Sequence, residues 1–356
     1  MPTVRRNYLY FAVFVSGMTT LAVEITASRL LGSVFGTSNL IWANVIGLIL
    51  LFLTAGYFLG GRLADRNPQP ARFYQILLWG AFSNALVPLL ARPVLALAAR
   101  SVQGIEAALA LGSFVVVLLL FAAPITLLGM VSPFAIRLAV DDAERAGSIS
   151  GRIYAISTLG SLIGTFLPVL VITPEVGTFW TFLIFAALLY VVGLIGLLRV
   201  HGTAALRYLW MPIVIAGLAA LALSQPVRAA PPGQTILYQT ESAYNYIQVT
   251  EDAQGGRYLY LNEGQGVHSE WHPGQILTGR TWDFFLAAPY FNPPPYAPDD
   301  VQALALVGLA AGTIARQYTA VYPDIPIDGI EIDPAIVEAG ARYFDMNAAA
   351  MPNLTV

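Results

Sequence analysis

Long apolar segments filling residues 7–225, an alternating hairpin at 246–262 and an apolar run, turn, helix and acidic run at 301–333 predict three parts: a multi-span α-helical membrane domain, a small β-hairpin domain and an incomplete Rossmann-like α/β domain. Composition carries the first part. The chain is 57% hydrophobic and only 11% charged, whereas soluble proteins average about 25% charged. The apolar residues concentrate before residue 225, and an ordinary soluble mixture follows. The boundaries read as 1–225 for the membrane domain, 226–234 for a linker, 235–272 for the β domain and 273–356 for the first part of the α/β domain. A net charge of −3 without a basic stripe excludes a nucleic-acid binder. With no Cys there is no disulfide, thiolate metal site or Cys nucleophile, and with no Lys there is no Schiff base or P-loop. No metal is expected.

Met1 to Asn7 carries Arg5 and Arg6, and the apolar stretch after them runs on to Leu31. A signal peptide has a shorter apolar core, so this is a first membrane span. Roughly twenty apolar residues cross a bilayer, which places about seven spans near 8–31, 39–60, 73–98, 111–136, 153–173, 178–198 and 208–224. The last is short and holds Pro212, the pattern of a re-entrant or interfacial segment. Arg62, Arg66 and Arg72 follow the second span, Arg137, Arg145 and Arg152 the fourth, and Arg199 and Arg207 the sixth, with Arg29 and Arg92 at span edges. That alternation predicts a multi-pass protein of the plasma (inner) membrane with a cytoplasmic N-terminus, its lipid bilayer being the first partner. Seven crossings put the C-terminal region outside and six put it inside. Both stay open at this point.

Within the first span, Glu24 and Arg29 are membrane-buried polar candidates, because an ionisable group at that depth carries a function by default. They lie about 140° apart around a helix, which disfavours pairing with each other. Thr20, Ser28, Asn44 and Asn84 are the alternative partners of Glu24. Gly56 to Arg66, GYFLGGRLADR, resembles the loop after the second helix of major-facilitator transporters, where Asp and Arg brace helix ends. Ser157, Gly160, Ser161 and Gly164 recur at the spacing of a helix–helix contact.

Ser224 to Gly233, SQPVRAAPPG, is a Pro-rich linker. Thr235 to Val249 and Arg257 to Asn262 read as strands, with Asp252 to Gly256 as the turn. Gly274 to Ala288 reads as a helix that stops at Asn292-Pro-Pro-Pro. Val301 to Val307 is an apolar strand that meets the small turn Gly308-Leu-Ala-Ala-Gly312. A helix follows, then a second apolar run, Ile325 to Ile332, ending in Glu331 and Asp333 before Pro334 at a helix start. Small residues let a ligand approach a helix N-terminus, and an acid about twenty residues on meets ribose hydroxyls. Gly308, Gly312, Glu331 and Asp333 are therefore the candidate cofactor-binding residues.

Glu331-Ile-Asp333-Pro334, with Val337, Ala341-Arg342 and Tyr343-Phe344, resembles the second motif of spermidine and spermine synthases, the aminopropyltransferases. The chain as a whole resembles the membrane-fused spermidine synthase-like proteins, in which a helical membrane domain precedes the synthase-like unit. The resemblance implies an α/β domain like that of S-adenosylmethionine-dependent methyltransferases, and a homo-oligomer formed through the β domain. It implies decarboxylated S-adenosylmethionine as co-substrate, with Glu331 on its ribose. Glu241-Ser-Ala-Tyr-Asn245 and Leu259-Tyr-Leu-Asn-Glu-Gly-Gln265 match the family's β-domain pattern, which adds Asn245, in place of a Gln, and Gln265 to the cofactor contacts. Thr281-Trp282-Asp283 stands where the family has Tyr-His/Gln-Glu, so Trp282 and Asp283 are the substrate candidates, with core packing the competing role for Trp282.

Aminopropyl transfer is attack of a neutral amine on the carbon beside a sulfonium, and carboxylates must hold the far ammonium and accept the proton. The resemblance places the catalytic Asp beyond Val356, which reads as a C-terminally truncated unit that is inactive as given. The family's first-motif Asp, which holds the cofactor amine, is Ala310 here; ordinary S-adenosylmethionine tolerates that change better. The expected function is a membrane-anchored spermidine synthase-like protein acting on a diamine such as putrescine. The alternative is a polyamine or small-molecule transporter or sensor whose synthase-like domain is not catalytic.

Overall fold

The computed structural model describes residues 6–35, 38–101, 106–223, 229–262, 266–322 and 325–356. Arg5, Gln265, the side chain of Arg92 and linker residues 224–228 lie outside them. The chain divides into two compact units, Met1–Val227 and Arg228–Val356.

The first unit is helical: α1 (Arg6–Phe35), α2 (Asn39–Arg66), α3 (Pro70–Ser101), α4 (Glu106–Gly129), α5 (Val131–Ala139), α6 (Ala146–Leu167), α7 (Thr173–His201) and α8 (Trp210–Leu223). Ser38 caps α2 by accepting from the Ile41 amide, and Arg66 sits in its last turn, where a cation favours the helix C-terminus. Five helical segments are long and apolar enough to cross a membrane: Arg6–Gly32, Asn39–Arg66, Pro70–Ala91, Leu111–Ala139 and Ala143–Leu223. The last runs for 81 residues and Gly177 interrupts it, with φ 79° and ψ 171°. The hydroxyls of Thr173 and Thr181 lie 3.0 Å apart, where an unbroken helix would separate those residues by about 12 Å. The chain therefore folds back at Gly177, between the stretches expected at 153–173 and 178–198.

α1 packs chiefly on α6 and α7, α2 on α4, and α3 on α7 and α4. The α1–α6 crossing is close because α6 presents glycines there. A Cβ on Gly164 would sit 2.0 Å from the Met18 carbonyl oxygen and one on Gly160 2.1 Å from that of Phe14. Ser161 donates to the Gly17 carbonyl at 3.1 Å. Outward faces carry Phe58, Leu119 and Leu170, all more than 60% exposed, an apolar surface far larger than a water-soluble monomer shows.

The second unit opens with a four-stranded antiparallel meander, β1 (Gln234–Glu241), β2 (Tyr246–Asp252), β3 (Arg257–Leu261) and β4 (Val267–Trp271), in sequence order. Two expectations change here. The single strand expected over 235–249 is broken by a tight turn at 242–245, in which the Ser242 hydroxyl accepts from the Tyr244 and Asn245 amides at 3.1 and 2.9 Å. β4 extends the expected hairpin to a sheet. The helix expected over Gly274 to Ala288 is also much shorter: α9 (Thr281–Phe284) leads into a 3-10 turn at Phe285–Phe291. Gly274 and Gly279 hold φ of 70° and 71°, a left-handed backbone that a helix interior excludes.

A parallel sheet follows, β5 (Leu304–Val307), β6 (Ile327–Ile330) and β7 (Leu354–Thr355), joined through α10 (Thr313–Val321) and α11 (Pro334–Tyr343). The two apolar runs expected at 301–307 and 325–332 pair over part of their length, Leu304 with Ile327 to Val307 with Ile330. The short third strand, β7, pairs with the start of β6, Leu354 beside Ile327.

Candidate functional site

β5 and β6 run side by side and end at Val307 and Ile330, which brings the 308–312 turn level with Glu331. Gly308, Ala310 and Gly312 have φ of 87°, 51° and 84°, so the turn is left-handed at alternate residues. Its amides are all used within the protein. Gly308 and Leu309 donate to the Ile330 carbonyl at 2.9 and 3.0 Å, and Gly312 donates to Leu309 at 3.1 Å. Ala310 donates to Glu331 Oε2 at 2.9 Å and Ala311 to the Ser269 hydroxyl at 2.9 Å. No N–H group is left to cradle a phosphate.

Glu331 is half-buried, and its other oxygen accepts from the Asp333 amide at 3.1 Å. Each carboxylate oxygen thus accepts one backbone hydrogen bond and keeps a second lone pair. A Cβ built on Gly308 would meet nothing within 4 Å, and Ile332 beside Glu331 is 68% exposed. The acid stands at an open edge with an apolar neighbour.

Asp333 has a different setting. It is completely buried. One oxygen caps α11 by accepting from the Ala335 amide at 3.1 Å. The other accepts from the Ser242 hydroxyl at 2.6 Å and the Asn245 amide group at 3.0 Å. Asn245 in turn accepts from Asn262 at 2.8 Å. Asp333 and Asn245 therefore tie the β1–β2 turn to the start of α11, directly behind Glu331.

Asp283 is likewise occupied by the protein. Its oxygens accept from the Thr278 and Gly279 amides at 2.9 and 2.7 Å, the Thr278 hydroxyl at 3.0 Å and the Gln317 side chain at 2.6 Å. Burial acts to raise its pKa, but these donors outweigh it and hold the carboxyl below the ordinary range. Trp282 lines an open depression of about 480 Å³ with Val267, Arg280 and Thr281.

Beside that depression lies a cluster the sequence reading missed. Glu270, whose side chain is 4% exposed, has one oxygen 2.6 Å from His272 Nε2 and the other 2.8 Å from Arg280 Nε, an ion pair not aligned as a hydrogen bond. The Glu270 amide donates to the Thr313 hydroxyl at 2.8 Å, and that hydroxyl donates to the Glu270 carbonyl at 3.0 Å. Trp271 lies between the guanidinium groups of Arg257 and Arg316, 4.7 and 5.3 Å from its ring. The only sequence signal is the alternation His268-Ser-Glu-Trp-His272, which puts Glu270 and His272 on one face of β4.

Part of the chain matches a known protein. Over 110 residues it is 36% identical to a protein of Bifidobacterium longum (strain NCC 2705) described as a probable polyamine aminopropyl transferase, which is 31% of this chain. The chain spans 23% of that relative's length. No family model matches, and no solved structure does.

The structure thus brings Gly308, Gly312, Glu331, Asp333 and Asn245 into one neighbourhood at the strand ends. Asp283 is tied to α10 through Gln317, and Trp282 lines the depression with Arg280. In the helical unit, Glu24 is half-buried on α1 and makes no hydrogen bond among the described residues, while Thr20, Ser28 and Asn44 bond to Ser16, Ile25 and Ser113. Arg29 is half-buried on the same helix and has a partner. Asn84 is fully buried with its amide unpartnered among the described residues. Asp65 at the end of α2 pairs with Arg137 on α5 at 3.4 Å. Among the described residues no group of three His, Cys, Asp or Glu side chains is placed to hold a metal.

Proposed function

We propose that this chain is a membrane-anchored, spermidine synthase-like protein whose second unit binds a sulfonium nucleoside at Glu331. The stretch shared with the probable polyamine aminopropyl transferase supports that relationship at a coarse level. The observation that carries the site is the Glu331 carboxylate. Two backbone amides fix it, it retains acceptor capacity for two ribose hydroxyls, and it stands beside the open space over Gly308. With every amide of the 308–312 turn already used, the site suits a nucleoside without phosphate better than a dinucleotide. Ile332 offers the base an apolar surface. Aminopropyl transfer from decarboxylated S-adenosylmethionine to a diamine such as putrescine is the reaction that follows, with Asp333 and Asn245 holding Glu331's surroundings in place.

The same reading orients the protein. Over the described residues α8 has 14 residues, about 21 Å of helix, short of the roughly 30 Å hydrocarbon core. With α8 not crossing, six passes keep both ends in the cytoplasm, where the co-substrate is made.

Calorimetry of the whole chain in nanodiscs with decarboxylated and ordinary S-adenosylmethionine tests the site. Glu331→Ala is expected to weaken either ligand by roughly 10-fold or more. Ala310→Asp is expected to shift preference toward the decarboxylated form, and Asp tolerates the left-handed backbone at 310 better than Ala. Equal binding by wild type and E331A would remove the assignment.

A second reading, a transporter or sensor of a polyamine or other small molecule, is favoured by Glu24 and the Asn84 amide inside the helical unit, neither of which has a hydrogen-bond partner among the described residues. Uptake of labelled putrescine by proteoliposomes, lost in Glu24→Gln, is its signature.

A further inference from the structure

At one end of the helical unit, Arg6, Asn7, Tyr8, Phe11 and Arg199 line an open cavity of about 590 Å³. Arg199, in the last turn of α7, places its guanidinium carbon over the Tyr8 ring, 4.1 Å from the ring centre. Tyr8 cannot swing away: its hydroxyl donates to the Val192 carbonyl at 2.7 Å, and its ring is 5.9 Å from that of Tyr74. The cation–π contact holds the guanidinium at the cavity wall, and no acceptor among the described residues takes its N–H groups. Arg6 adds a second guanidinium, which Asp141 pairs on one side. Phe11, 48% exposed, forms the apolar wall.

We propose that this cavity is a binding site for a phosphate-bearing anion, gripped bidentately by Arg199 and balanced by Arg6. The two arginines bring more positive charge than Asp141 neutralises, and a planar fork matches two phosphate oxygens. The arginine pattern puts this end of the helices at the cytoplasmic headgroup level, where phospholipid phosphates are the abundant source. The site rests on the membrane-embedded reading of the first unit, not on the nucleoside site of the second.

Native mass spectrometry of the whole chain in a phosphate-free detergent tests it with three probes: phosphatidylglycerol, diacylglycerol with the same acyl chains, and inorganic phosphate. A phosphatidylglycerol adduct favoured over diacylglycerol, and reduced roughly 10-fold in Arg199→Gln, identifies a headgroup site. Inorganic phosphate bound with the same Arg199 dependence identifies a free-anion site; both support the proposal. Arg199→Lys keeps charge but loses the fork, so partial retention is expected, whereas Arg62→Gln is expected to bind like wild type. Thermal unfolding checks that each variant is folded. Equal adducts for folded R199Q and wild type, or no preference for phosphatidylglycerol over diacylglycerol together with no phosphate binding, would overturn it. Release of the chain from membranes by alkaline carbonate would instead overturn the embedded reading, independently of these adducts.

Discussion

Two carboxylates two residues apart at the end of β6 have opposite settings: Asp333 is buried and Glu331 half-buried. Removing the Asp333 side chain takes the acceptor from the Asn245 amide group and the Ala335 N–H, and one of two acceptors from the Ser242 hydroxyl, which also donates to the Asn245 carbonyl at 3.2 Å. Asp333→Ala is expected to destabilise the second unit by about 3 kcal/mol in denaturant unfolding, since each buried unsatisfied donor costs about 1–3 kcal/mol. Glu331→Ala is expected to change stability by less than about 1 kcal/mol, because its surroundings are half-solvated. A second residue pair sets acid behaviour. The Tyr258 hydroxyl donates to Asp252 at 2.7 Å and is the largest influence holding that carboxyl below its usual value; burial opposes it, and the Gly256 and Gln254 amides assist. A depressed folded-state pKa contributes stability that is present above the unfolded value, about 3.9, and lost as pH falls through the folded value. Tyr258→Phe is expected to flatten the fall in stability below about pH 4, read by unfolding at a series of pH values.

At the scale of elements, close helix approach carries the fold of the first unit. Gly164 and Gly160 bring α6 against the backbone of α1, so a larger residue must separate the two helices. Gly164→Leu is expected to destabilise the detergent-solubilised chain by about 2 kcal/mol or more, since even buried overpacking by methylenes costs about 1–3 and the obstacle here is backbone. Its thermal midpoint should fall clearly, while Gly47→Leu, where a Cβ meets nothing within 4 Å, should leave it unchanged. In the second unit the turn between β5 and α10 holds Ala310 at φ 51°, which an alanine adopts at a cost of about 1 kcal/mol. The Ala310 methyl is partly buried against the Ile336 and Phe344 cluster, so Ala310→Gly is expected to change stability by less than about 1 kcal/mol in the same unfolding assay, the relieved strain offsetting the lost contact.

For the molecule as a whole, the proposal of six passes puts the second unit on the cytoplasmic side. The chain has no cysteine, so Gly233→Cys gives a single reporter. In right-side-out vesicles an impermeant maleimide should label it only after permeabilisation. Labelling of intact vesicles would mean that α8 crosses and that the second unit faces away from the cytosolic co-substrate.

Which residues meet across the sequence separates what could be read early from what could not. Leu304–Val307, the 308–312 turn and the acid at 331 were legible because a strand, a left-handed turn and a helix start are local events, each encoded within a few residues. The helical character of 7–225 was legible for a similar reason: long apolar runs satisfy their backbone internally whatever their neighbours. The β1–β2 turn, the short α9 and the Glu270–His272–Arg280 cluster were not, because turn hydrogen bonds and left-handed glycines compete with apolar periodicity, and a strand's partner lies elsewhere in the chain. The residues alone fixed the composition of both units and the chemical kind of each candidate group. Only the tertiary structure shows that Asp333 is buried and bonded to Ser242 and Asn245 while Glu331 is half-exposed, since solvent access and the number of donors around a carboxylate depend on segments far apart in sequence.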